Sequence, residues 1–265
     1  DYGAVGDGVT DDTVAIQAAL DDNAKEDFVR KIIFPSGTYR VTSKLTCLYP
    51  PILAGEYAPP VYADTTTGWP PRPSGRDPLR GTVILSEVLN DWCLEVSNGI
   101  NYTRSIYIEN IHFLGATITH AGKGLKLRDC GPGMVTGVVI EDFLLGGLEL
   151  SQLQSVTFEQ MGCFGCGTDG VVPAILFTLG TNLCSFYHLA ISRTAYHMKF
   201  EDCYALSFIG FDLEQGDYPS GTLPSLQTTA ANPAYVLTSD ARSIKFSDGY
   251  FSPGSITNTI ADHAG

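Results

Sequence analysis

Six short stretches restrict the fold more than anything else in this chain. They are "SIYIENIHF" (105–113), "GVVIEDFLL" (137–145), "SVTFEQMGCF" (155–164), "CSFYHLAIS" (184–192), "LSFIGFDLEQ" (206–215) and "SIKFSDGYF" (243–251). Apolar and polar residues alternate within them, as in a strand with one buried face. Ile106 and Ile108, Val138 and Ile140, Val156 and Phe158, Leu206 and Phe208, and Ile244 and Phe246 are expected to point inward. Gly, Asn and Asp punctuate the unequal intervals between them. Units of this kind cannot bury their apolar face alone, but stacked as successive coils they share one continuous core. A doubly wound α/β sheet is the competing architecture, and it lacks convincing amphipathic helices after Leu20.

A chain of 265 residues, 44% hydrophobic and 17% charged, can pack one large domain. Its formal charge of −13 disfavours nucleic acid and anionic membranes as partners. No apolar run approaches the roughly 20 residues of a membrane span. The chain starts without methionine, so it reads as cropped at its N-terminus. Seven cysteines are an odd count and argue against a complete disulfide framework. Cys163-Phe-Gly-Cys166 has metal spacing, yet no second Cys-x-x-Cys or His pair follows it, so small buried hydrophobes are the default reading. No cofactor is expected.

The opening "DYGAVGDGVTDDTVAIQAAL" lacks the Gly-Lys-Ser/Thr of a phosphate loop and the alternating ligand spacing of an EF-hand. Gly3, Gly6 and Gly8 suit tight turns; Thr10, with Asp11 and Asp12 behind it, suits a helix start. Ala15, Ile16, Ala19 and Leu20 give that helix one apolar face. With "KIIFPSGTYRVTSKL" (31–45), this stretch resembles the N-terminal signature of the pectate-lyase superfamily, most closely that of bacteriophage tailspike depolymerases. The resemblance implies an all-β chain: a single-stranded right-handed parallel β-helix whose open end is covered by an N-terminal α-helix. It makes residues 1–45 the cap and first rung, and 46–265 the remaining coils of the same domain. Proline-rich and polar insertions interrupt those coils at about 49–81 and 215–235.

The resemblance also implies a polysaccharide substrate, homotrimerisation, and a place on a virion tail or outside the cell. Alternatives are a secreted microbial polysaccharide hydrolase or lyase and a non-catalytic structural or glycan-binding β-helix. If Ile108, Ile140 and Phe158 point inward at equivalent positions, then Glu109, Glu141 and Glu159 form an outer ladder at about 4.8 Å per coil. His188 continues it if Tyr187 is buried. Paired carboxylates of this kind suit glycoside hydrolysis, which makes Glu141 and Glu159 the preferred catalytic pair. Asp212, Glu214 and Asp217 form a further acidic cluster at the edge of the second insertion. Thr168-Asp169-Gly170 is similar to part of a polygalacturonase motif and nominates Asp169. A lyase would need a basic residue instead, and Arg193 and Lys245 lie in or beside expected strands. Tyr57, Tyr62 and Trp69 of the first insertion could stack on sugar rings.

Overall fold

A computed structural model describes residues 2–24, 30–49, 52–56, 81–97, 105–117, 120–167, 172–194, 197–214, 235–237, 241–252 and 260–262. Every strand pairing among them is parallel, and the strands fall into three long sheets. Each coil contributes one strand to each sheet. The fourth coil, for example, runs through Gly133–Thr136, Val139–Glu141 and Leu148–Ser151. Eight such coils stack into a right-handed parallel β-helix.

Sheet B holds Lys31–Phe34, Ile52–Gly55, Ile106–Glu109, Gly133–Thr136, Val156–Glu159, Ser185–Tyr187, Cys203–Ile209 and Arg242–Ser247, with the two-residue strand Thr181–Asn182 paired to the start of Cys203–Ile209. Sheet A holds Gly37–Val41, Thr82–Ser86, Ile111–Gly115, Val139–Glu141, Gly162–Phe164, Ala190–Ser192, Asp212–Glu214 and Tyr250–Ser252, with Asp7–Asp11 paired to its first strand. Sheet C holds Leu45–Leu48, Trp92–Ser97, Lys123–Arg128, Leu148–Ser151, Ile175–Thr178, Met198–Phe200, Tyr235–Leu237 and Ile260–Asp262. One residue with positive φ turns the chain from sheet B to sheet A in successive coils: Asn110, Gly137, Gln160, His188, Gly210 and Asp248. Such a residue costs little when it is Gly or Asn and more for the others, so the packed coils on either side must hold it.

The inward residues stack in register. Along sheet B the column runs Leu53, Ile108, Val135, Phe158, Phe186, Phe208, Phe246. The four phenylalanine rings lie nearly parallel at 4.4, 4.7 and 4.7 Å between centroids. Phe177 and Phe200 of sheet C stack on each other at 4.7 Å and meet that column edge-on. Each interior ring contributes about 1.5–3 kcal/mol by leaving water, and the offset and edge contacts add to this. All seven cysteines are buried and free, as small core residues. Burial pushes the Cys47, Cys93, Cys130 and Cys203 thiols up to about 12, which leaves them inert.

The helix α1 spans Thr13–Ala24 and lays Ile16 and Leu20 over Phe34, Leu45, Leu53 and Phe113 at the open end of the core. It starts later than the sequence suggests. The Asp12 carbonyl accepts the first helical bond, from the Ile16 N–H, so Asp12 and not Thr10 is the capping position. The carboxylate of Asp12 accepts instead from the Val5 and Gly6 N–H groups and pins the opening loop. Asp11 accepts from the Thr13 N–H and hydroxyl and from the Thr42 hydroxyl. These aspartates are structural.

Candidate functional site

The triangular section gives the molecule three outer faces, and each reads differently. On sheet A the outward columns are largely sealed: Val83, His112, Val139, Ala190 and Ser192 are all buried although they face away from the core. Within this face lies a charged network. Glu141 meets Arg193 through Oε1 and stands 3.2 Å from His112 Nε2 through Oε2. Arg193 Nη1 lies 3.9 Å from Asp142 Oδ1.

Backbone geometry explains how residues so distant in sequence meet. Asp142, Gly165 and Arg193 follow equivalent strands in three successive coils, and all three have positive φ. The middle one has no side chain, so the Arg193 guanidinium reaches across it to Glu141 and Asp142, with the Phe164 ring 6.0 Å away. Burial pushes the Glu141 carboxyl up, but His112 and Arg193 outweigh it and hold the group down at about 2. A carboxylate held this firmly is a poor proton donor and a weak base; it is suited to locking coils together.

Sheet C presents the opposite face. Its outward column runs Glu95, Lys126, Glu149, Leu176, Lys199. Lys126 Nζ lies 2.8 Å from Glu149, and Lys199 is paired with Glu201. Beside this column an open groove of about 310 Å³ is bordered by Trp92, Lys123, Glu149, Pro173, Lys199 and Glu201. The Lys123 and Lys126 ammonium groups stand 5.3 and 5.8 Å from the centre of the Trp92 ring. Two carboxylates, cationic neighbours and an aromatic wall thus meet in one solvent-open depression, the features a polar ligand with apolar faces needs.

The expected ladder Glu109–Glu141–Glu159 does not form. Glu109 and Glu159 belong to sheet B, with Thr136 between them, whereas Glu141 belongs to sheet A, paired with Leu114 and Phe164. The reason is the turn at Gly137: Ile140 pairs with Phe113, not with Ile108. Glu141 and Glu159 are therefore not brought together. Tyr187 takes the ladder position next to Glu159 and is 36% exposed, while Phe186 is buried. His188 consequently falls in the positive-φ turn and is exposed there, not in the ladder.

Asp212 lies on the outward side of sheet A beside Ala190, and burial pushes its carboxyl above the usual range. Glu214 ends the same strand, paired with Ser252. Lys245 is exposed on sheet B. Tyr57, Tyr62, Trp69, Asp169 and Asp217 lie outside the described residues. Sequence reasoning missed His112 and every groove residue. The overlooked signal is the charged residue between apolar ones in "LEV" (94–96), "LKL" (125–127), "LEL" (148–150) and "MKF" (198–200), in four of the eight coils. Among the described residues no group of three or more side chains could hold a metal ion, and no helix is long and apolar enough to cross a membrane.

Residues 1–113 match the family model described as "Rhamnogalacturonase A/epimerase, pectate lyase-like". No curated protein matches the sequence. Among solved structures, ORF18 of Geobacillus virus E2 superposes with a TM-score of 0.73 at 21% identity, over 98% of this chain and 48% of that one. The chain thus spans about half the length of that protein. The enzymatically active domain of bacteriophage CBA120 tailspike protein 2 gives 0.48 at 13% identity, covering 98% of this chain and 45% of that one. The A-module of an Azotobacter vinelandii mannuronan C-5 epimerase gives 0.47 at 14% identity, over 100% and 77%. At 21% identity the likeness to ORF18 is one of fold. With the coil repeated along its length, the chain is a right-handed parallel β-helix, and its first 113 residues carry the match to the pectate lyase-like family model.

Proposed function

We propose that the chain is the glycan-handling β-helix of a phage tailspike-type protein, which binds a bacterial surface polysaccharide and cleaves its glycosidic bonds. The observation that carries this reading is the open groove on sheet C, with Glu149 and Glu201 on its border beside Trp92. Glycoside hydrolysis asks for one carboxyl to protonate the leaving oxygen and a second to act as nucleophile or to activate water. Glu149 and Glu201 are the two that the groove offers. The match of residues 1–113 to a family named for a rhamnogalacturonase supports a carbohydrate substrate. In this reading the protein acts as a homotrimer on a virion tail or outside the cell.

Asp212 favours a second placement of the chemistry, on sheet A, because its raised pKa is what a general acid needs. The experiment is a digest of capsular and O-antigen polysaccharides, followed by mass analysis and ultraviolet detection of unsaturated ends. Saturated fragments, lost with Glu149→Gln and Glu201→Gln but kept with Asp212→Asn, establish a hydrolase working in the groove. The reverse pattern moves the reaction to sheet A. Unsaturated ends make the protein a lyase. No cleavage by the trimer leaves a binding or structural β-helix.

A further inference from the structure

The groove on sheet C holds charges of both signs, and all but one are accounted for. Lys126 pairs with Glu149, and Lys199 pairs with Glu201. Lys44, at the end of the same face, pairs with Glu95 and Asp91. Lys123 also borders the groove, yet among the described residues no carboxylate stands within ion-pair reach of it. Its ammonium rests 5.3 Å from the centre of the Trp92 ring. An aromatic face positions a cation without neutralising it, so the charge stays available to an anion. In a chain of formal charge −13, a lysine on the border of an open groove with no carboxylate in ion-pair reach among the described residues is a selective feature.

We infer that the groove takes an anionic glycan, with Lys123 seating a negatively charged group of one sugar above Trp92. This rests on the reading of the groove as a glycan site and adds the charge of the ligand to it. A lysine is a compact point charge with three donors. It therefore accepts a uronate carboxylate or a backbone phosphate alike, and the shared chemistry is a single anionic group per bound sugar. Glu149 and Glu201 do not repel such a chain, because each already has its own lysine. The neighbouring sugars then lie along Leu176 and Pro173, the apolar part of the wall.

The test uses the full chain and immobilised bacterial polysaccharides of three kinds: neutral, uronate-containing, and phosphate-containing. Each uronate-containing member is also presented after carboxyl reduction. Binding is read by surface resonance at two salt concentrations, for the native protein and for Lys123→Gln and Lys123→Arg. The expected result is binding to charged members only, weakened about tenfold by Lys123→Gln and kept by Lys123→Arg. Carboxyl reduction lowers binding to the same degree if the anion is a uronate; retention on the phosphate-containing members alone identifies phosphate. Equal binding of neutral or carboxyl-reduced glycans, or no change with Lys123→Gln, overturns the inference and leaves the groove as a glycan site. Binding to none of the glycans overturns the glycan reading of the groove and this inference with it. Unchanged thermal unfolding of Lys123→Gln separates a lost contact from a lost fold.

Discussion

The outer faces of sheets A and C are built on the same coils, yet they treat charge in opposite ways. On sheet A, Glu141, Arg193 and His112 are nearly sealed, with side-chain exposures of 12%, 12% and 7%. On sheet C the Lys126–Glu149 pair is 19% exposed at both ends, and Lys199–Glu201 is more open still, at 33% and 37%. Water decides what each arrangement does. A sealed pair whose partner is removed leaves a bare charge in a poor solvent, whereas an open pair is rehydrated at little cost. Sheet A therefore uses its ions for stability, and sheet C leaves its ions within reach of solvent.

The largest effect that would break this comparison is expected at Arg193. Arg193→Met leaves Glu141 and Asp142 facing each other without their shared cation, and removal of one partner from a buried ion pair costs about 3–5 kcal/mol. Urea unfolding should show that loss, with the slope of the transition unchanged. A loss below about 1 kcal/mol, the size expected of an exposed pair, would place sheet A in the same class as sheet C.

Acid should distinguish the faces next. The Glu141 carboxyl lies at about 2 in the folded protein against an ordinary value of 4.5. The folded value is the lower one, so its contribution is complete above 4.5 and is lost as pH falls toward 2. The linked stability is on the order of 3 kcal/mol. Glu141→Gln should flatten that part of the stability–pH profile. An unaltered slope in Glu141→Gln would assign the acid sensitivity to other carboxylates.

Much of this architecture is legible in the sequence, and the part that is not has one cause. The alternation in "SIYIENIHF" and "SVTFEQMGCF" marks the strands of sheet B and the column of rings behind them. The cap helix is legible as well, apart from the shift of its start from Thr10 to Asp12. The site is harder to read because a coil is three short strands, and outside the insertion before Thr82 the turn from sheet B to sheet A takes only one or two residues. Taken as one strand, "GVVIEDFLL" puts Glu141 level with Glu109; the turn at Gly137 moves it to the next sheet. One residue with positive φ thus changes which side chains are neighbours, and residue spacing alone does not show it. The strands of sheet C suffer most. Segments such as Leu148–Ser151 and Met198–Phe200 are too short to show a period on their own.

A smaller effect sharpens the comparison at its structural origin. Gly165 occupies the turn between Asp142 and Arg193 with φ of 62°. Gly165→Ala adds a methyl group under the guanidinium and a left-handed backbone penalty of about 1–2 kcal/mol. Thermal unfolding should fall accordingly, and the acid-dependent slope should shrink as Arg193 is displaced. A full backbone penalty with an unchanged slope would show that Arg193 can reach Glu141 by another route.

The smallest effect on stability is expected in the groove, and there the sign of the comparison reverses. Glu149→Gln and Glu201→Gln each remove one end of a solvent-accessible pair, which should alter unfolding by no more than about 0.5 kcal/mol. Of the lysines left behind, Lys199 is one-third exposed and keeps its hydration, and Lys126, though only 19% exposed, still lies beside the Trp92 ring. Activity should respond in the opposite order: these two variants lose polysaccharide cleavage, and Arg193→Met retains it at temperatures where it stays folded. The two measurements, made on the same four proteins, separate residues that hold coils together from residues that meet a ligand. If Glu149→Gln lost several kcal/mol instead, its pair with Lys126 would be part of the scaffold. The groove would then have to work through Glu201 and Lys123 alone.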